Sequence, residues 1–212
     1  MLKLIFPTIA ILLIGFQLNA QLTFGPGIGL STLRIPGQTF VINDKNHNDS
    51  IRLSYFDADY GYHFGAFVRY KFSSFLIQPE VYFNSNKTTY KIRGFGSTTI
   101  VDSIKKERYQ HLDLGLMLGY KIGIVRFMVG PLAHVFIHSR SDLTSIDGFK
   151  DNWQKSTLAY QLGIGFDLSK LAFDLRWEQN FTKYGDHLEI DGVKYSFSKA
   201  PTKLVALLSY MF

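Results

Sequence analysis

Beyond residue 20 the chain alternates between apolar and polar positions, one residue to the next. Tyr60, Tyr62, Phe64, Ala66, Val68, Tyr70 and Phe72 alternate with Gly61, His63, Gly65, Phe67, Arg69 and Lys71. Side chains of a strand point to opposite faces in turn, so this period of two predicts a strand with one apolar face. The same pattern returns around Phe75–Phe83, Leu112–Tyr120, Val125–Ile137, Leu158–Leu168 and Leu171–Trp177. A glycine-rich strand, about Leu22–Leu33, opens the series. Its Gly25, Gly27 and Gly29 have the wrong spacing for a dinucleotide-binding loop, and no helix follows. Leu204, Ala206, Leu208, Tyr210 and Phe212 share one face of a closing strand. Pro131 lacks an amide donor, so a bulge or pairing defect is expected there.

Eight strands result, and their connections alternate in length. Ser73-Ser74, Lys121–Ile124 and Ser169-Lys170 are short turns. Arg34–Asp59, Arg93–Arg108, Arg140–Lys155 and about Lys183–Ser198 read as long polar loops. Short turns on one rim and long loops on the other predict an all-β, eight-stranded antiparallel up-and-down transmembrane β-barrel. A lipocalin-type soluble barrel would turn its apolar face inward. Here the polar face carries Arg69, Glu80, Asp113, Arg126, Asp174, Arg176 and Glu178, and the other is continuously Leu, Val, Phe and Tyr. The apolar face is therefore expected against lipid. Tyr210 and Phe212 resemble the C-terminal assembly signal read by barrel-insertion machinery.

The first 20 residues obey a different rule. Lys3 gives a positive start, Leu4–Phe16 is apolar apart from Thr8, and Ala20 supplies a small residue for cleavage. This is the layout of a secretory signal peptide, and Pro7 and the shortness of the run argue against a spanning helix. Residues 21–212 then make one barrel domain. The chain has no cysteine, which removes disulfides, thiolate metal sites and lipoprotein anchoring. No later apolar run is long enough to span as a helix, so a membrane would be crossed by strands. The formal charge of +6 comes without a basic stripe or nucleic-acid motif, and nucleic acid is set aside as a partner. The expected location is the outer membrane of a Gram-negative cell, with long loops extracellular and turns and termini periplasmic.

Candidate chemistry is sparse. Inside a narrow lumen, Arg69, Glu80, Asp113, Arg126, Asp174, Arg176 and Glu178 are expected to pair, because buried charges must be paired or hydrated. Eight strands leave room for side chains and little else. His63, His111, His134 and His138 share the inward parity. His134 and His138 lie about 13 Å apart along a strand, so they cannot share a metal, and no metal site or cofactor is predicted. A lipid A-modifying enzyme would need a nucleophile beside a histidine. His138 and Ser139 are neighbours pointing to opposite faces, and His111 and Asp113 share a face with no evident serine. No catalytic residue is assigned. Lys87, Lys91, Arg93, Lys105, Lys106 and Arg108 flank the second loop and are candidates for contact with lipopolysaccharide phosphates. Ser50 and Ser103, each between Asp and Ile, match a short O-glycosylation pattern.

Several segments resemble the PorT-like outer-membrane barrels of Bacteroidota: Leu76–Phe83, His111–Lys121, Gly130-Pro131, Gly163–Leu168 and Leu175–Gln179. The second departs from the family in carrying Leu114-Gly115 where many members have an Ile-Pro-like pair. The resemblance implies barrel strands rather than a chemistry. The expected function is a non-enzymatic envelope role, structural or interaction-based, and the resemblance implies an accessory part in type IX secretion as an alternative. A lipid A-modifying enzyme and a narrow pore are the further alternatives. Expected partners are outer-membrane lipid and lipopolysaccharide, the barrel-assembly machinery during insertion, and an envelope or secretion protein.

Overall fold

The structure is a computed structural model that describes residues 20–34, 39–43, 50–58, 60–95, 100–141, 149–151, 155–181, 188–190, 193–195 and 202–212. The expected signal peptide falls outside these residues, except for Ala20. Thirteen strands are described. In chain order they are β1 (Ala20–Arg34), β2 (Thr39–Asn43), β3 (Ser50–Ala58), β4 (Tyr60–Phe72), β5 (Phe75–Phe95), β6 (Ile100–Ile122) and β7 (Val125–Ser141). Then come β8 (Phe149–Asp151), β9 (Ser156–Leu168), β10 (Leu171–Asn180), β11 (Leu188–Ile190), β12 (Val193–Tyr195) and β13 (Thr202–Tyr210).

Eight of them close a barrel. Antiparallel pairs run β1–β4, β4–β5, β5–β6, β6–β7, β7–β9, β9–β10 and β10–β13. β13 returns to β1, from Gly27↔Ser209 to Arg34↔Thr202. A closed barrel leaves no open edge in its wall, which is what a strand-built membrane span requires.

The alternation read in the sequence becomes an outside and an inside. Leu22, Phe24, Tyr62, Phe64, Leu116, Phe127, Phe173 and Leu204 are among the exposed apolar side chains. Arg69, Glu80, Asn84, Asp113, Arg126, Arg176 and Glu178 are buried. This inverts a soluble protein and fits a wall with lipid outside it. Three small apolar clusters sit inside among the polar groups: Phe67, Ala172 and Met211; Leu76, Met117 and Met128; and Tyr82, Val205 and Leu207.

One rim, the turn end, is built from two-residue turns. The first residue of two of them, Ser73 and Ser169, takes a positive φ (55° and 57°), as does Gly123 (59°). Primed hairpin turns require this, because their twist matches that of the strands. The third turn is tighter than expected: Lys121 and Ile122 stay in β6, and only Gly123 and Ile124 make the turn.

At the other rim, the loop end, strands replace much of the expected loop. β2 and β3 form a hairpin within residues 34–59, and β3 pairs with the upper part of β5. β5 and β6 stay paired up to Phe95↔Ile100, which shrinks the expected Arg93–Arg108 loop. β8 lies in the third loop, β11 and β12 in the fourth, and the three form a small sheet. In the sequence these segments carry no sustained apolar period of two.

The wall is irregular in places, as in β4–β5, where Phe67↔Glu80 and Tyr70↔Ile77 flank a gap at Pro79. Around Pro131, the pairs Gly115↔Leu132 and Leu118↔Val129 flank a gap, with the same register on both sides. This is a pairing defect and not a bulge. An added Cβ at Gly130 would strike the Leu116 carbonyl, so glycine lets the two backbones approach there. A true bulge lies higher in β7. Gln110 pairs with His138 but His111 pairs with Phe136, leaving Ile137 extra. The bulge corrects one expectation: His138 does not share the inward parity, and its side chain is exposed.

Candidate functional site: a charged lumen

The inner face brings together all seven charged residues expected in the lumen. Four buried cations (Arg69, Arg126, Arg176, Lys203) meet five buried carboxylates (Glu80, Asp113, Asp167, Asp174, Glu178). Half-buried Lys121 supplies the fifth cation. Each comes from an inward position of a barrel strand, so the barrel's register decides who meets whom.

The network has three levels. At the loop end, His134 stands between two carboxylates, with Nδ1 2.6 Å from Asp113 and Nε2 3.2 Å from Glu178. Asn84 donates to Asp113 at 2.8 Å, and Gln161 donates to Glu178 at 3.0 Å. Lys203 pairs with Glu178 at 3.0 Å. His63 lies 3.9 Å from Asp113, and the ring of His111 meets that of His134 edge-on at 5.9 Å.

At mid-height, Arg176 engages Glu80 with both terminal nitrogens, the Nη2 bond measuring 3.0 Å. Gln78 donates to Glu80 at 2.8 Å, and Arg176 donates to Gln161 at 3.2 Å. Fork-to-fork pairing of this kind is the strongest arrangement open to a guanidinium and a carboxylate.

Toward the turn end, Asp167 is shared by three cations: Lys121 at 2.6 Å, Arg126 at 2.7 Å and Arg69 at 3.2 Å. Arg126 also reaches Asp174 at 3.1 Å. Arg69 donates to Gln78 at 2.7 Å, which ties this level to the one above. Gly165 makes the space: an added Cβ would sit 2.7 Å from the Arg126 guanidinium and strike the Asp174 carboxylate.

Sequence reasoning missed Lys203, Asp167 and Lys121 as members. Lys203 has the inward parity of β13, but its companions Val205 and Leu207 gave that face an apolar look. Asp167 shows the polar parity of β9, a signal that was available.

The basic residues flanking the second loop come together by register. Lys87 lies opposite Arg108, and Lys106 opposite Thr89. Lys91 pairs with Ile104, Arg93 with Asp102 and Lys105 with Tyr90. For Lys91, Arg93 and Lys105 only the backbone is described; Lys106 and Arg108 are exposed and Lys87 is half-buried. Tyr210 and Phe212 face outward, with rings 5.0 Å apart, and Phe212 stacks on Phe24 at 5.6 Å across the β13–β1 closure. Among the described residues, no group of three His, Asp or Glu side chains is arranged to hold a metal ion.

The sequence of this charge-filled, strand-built wall matches a known family model, the outer membrane protein beta-barrel domain, over residues 14–184. The chain belongs to that family. As a member of the outer membrane beta-barrel domain family, it is placed in the outer membrane. Solved barrels similar to it include Neisserial surface protein A, at 9% identity and a TM-score of 0.42, covering 92% of this chain and 99% of that one. Ail, the attachment invasion locus protein of Yersinia pestis, has 15% identity and a TM-score of 0.37, covering 90% and 98%. The outer membrane protein AlkL has 17% identity and a TM-score of 0.49, covering 92% of each. At these values the likeness concerns the fold alone. No curated protein matches the sequence significantly.

Proposed function

We propose that this family member is a closed, non-conducting barrel without an active site, serving the envelope as a structural or interaction protein. Its loop end faces outward and its turn end the periplasm, after removal of residues 1–20. The observation that carries the reading is the filled lumen. Arg126, Arg176 and Glu178 are at most 1% exposed, and their paired side chains occupy the lumen at mid-height. An enzymatic role finds no support in His134, the best-placed base. Its two ring nitrogens are engaged by Asp113 on one side and by Glu178 and Asn180 on the other. Such a ring has no nitrogen left to activate a hydroxyl.

Partner contact is assigned to the loop end, where β2, β3 and the long halves of β5 and β6 stand beyond the barrel. Lys87 directly opposite Arg108 concentrates positive charge there, which suits lipopolysaccharide phosphates. Tyr210 and Phe212 act in assembly, at the strand that closes the barrel. The PorT-like resemblance makes a secretion accessory the finer version of the same reading.

The test joins three measurements on the protein from its native membrane. Planar-bilayer recording is expected to give no conductance steps, and lipid A from an overexpressing strain is expected to be unchanged. A mild-detergent pulldown is expected to bring down a stoichiometric envelope partner. A type IX component in that pulldown selects the accessory role; steady conductance or a lost acyl chain ends the proposal.

A further inference from the structure

The turn end holds a cavity of about 330 Å³ in the mouth of the lumen. Four cationic side chains line it, Arg69, Lys71, Lys121 and Lys170, against two carboxylates, the backbone carboxylate of terminal Phe212 and the side-chain carboxylate of Asp167. The Asp167 carboxylate is already committed to Arg69, Lys121 and the deeper Arg126. Lys71 and Lys170 have no ion pair among the described residues, although Lys170 lies over the Tyr210 ring at 5.8 Å. Elsewhere in the lumen charges balance closely, so the surplus is local to this cup.

We propose that the turn-end cup is a binding site for a phosphate-type oxyanion. The lining dictates the chemistry. A free phosphate carries between about one and two negative charges at neutral pH and a phospholipid diester about one, each with at least two unesterified acceptor oxygens. Arg69 and Lys121 are held in place by Asp167 and form a fixed floor, while Lys71 and Lys170 stand at the rim. Such a group would answer Lys71 and Lys170 together with the floor cations, and charge-assisted bonds to Lys and Arg are the strong ones. The phosphate can come from a free solute or from a phospholipid headgroup at the rim. The inference is independent of the role proposed for the barrel as a whole, since a conducting barrel could hold the same anion.

The experiment uses the full-length barrel in non-ionic detergent, titrated with inorganic phosphate and, separately, with short-chain phosphatidylglycerol. Amide NMR shifts around Lys121 and Lys170 are monitored, with potassium chloride as the ionic-strength control. Saturable shifts confined to the cup are expected, with affinity at least tenfold weaker in a Lys71→Ala/Lys170→Ala variant. That variant leaves the Asp167 pairs intact, and its folding is checked by heat-modifiable mobility. Saturation with inorganic phosphate identifies a free solute; saturation only with the lipid identifies the headgroup. Shifts that merely track ionic strength, or an unchanged affinity in the double variant, overturn the site.

Discussion

The two ends of the lumen solve the same problem differently. At the loop end, Asp113 and Glu178 are matched by Lys203 and His134, and amides from Asn84 and Gln161 fill the remaining positions. Glu178 and Lys203 are 0% and 5% exposed, so this cluster is dry. At the turn end, one carboxylate serves three cations beside an open cavity. Counting partners would make Asp167 the keystone of the barrel. The open cavity and the 23% exposure of Lys121 say otherwise, because the cost of an orphaned charge depends on whether water can reach it.

Mutations can break this comparison. Glu178→Gln should cost the most, about 3–5 kcal/mol, since it leaves Lys203 in a dry site with its carboxylate gone. Urea unfolding of the refolded barrel, monitored by tryptophan fluorescence, would measure it. Asp167→Asn should cost less, about 1–3 kcal/mol, because Lys121 reaches solvent, Arg69 keeps Gln78 and Arg126 keeps Asp174. If Asp167→Asn proves the more damaging of the two, the burial argument fails. Lys121→Met should lower stability by under about 1 kcal/mol in the same assay, its side chain being 23% exposed and Asp167 keeping two other partners. Ser169→Gly should be a small gain, about 1 kcal/mol, because serine holds a positive φ that glycine adopts without strain. It should leave the lumen pairs, and any anion affinity of the cup, unchanged.

Much of the barrel was legible in the sequence because the membrane enforces it. Every spanning strand has lipid on one side and a polar lumen on the other, so Tyr60–Phe72 or Leu158–Leu168 could hardly be read otherwise. Above the membrane that constraint ends. Ile51, Leu53 and Tyr55 do alternate in β3, yet the run is short and set among polar residues, and the segment reads as polar loop. The polar face was visible, but its pairings were not. Arg69 and Asp167 are 98 residues apart, and Arg176 and Glu80 are 96 apart. Their meeting depends on how the strands are staggered around the barrel, which no local pattern carries. His138 illustrates the finer limit: one inserted residue, Ile137, reverses the parity of the positions after it, and nothing in the local sequence marks it.

The unequal strand lengths have a consequence for reach. β10 has 10 residues, whereas β5 has 21 and β6 has 23. At about 3.3 Å per residue, β5 has a contour of about 70 Å. Tilted by about 40°, it climbs about 50 Å, roughly twice the height of the apolar band of an outer-membrane barrel. The protein therefore offers a mast on one side of the bilayer and a flush socket on the other. Whatever meets the tip of the β5–β6 hairpin meets it well clear of the lipid surface. Whatever meets the turn end must come down to the membrane itself.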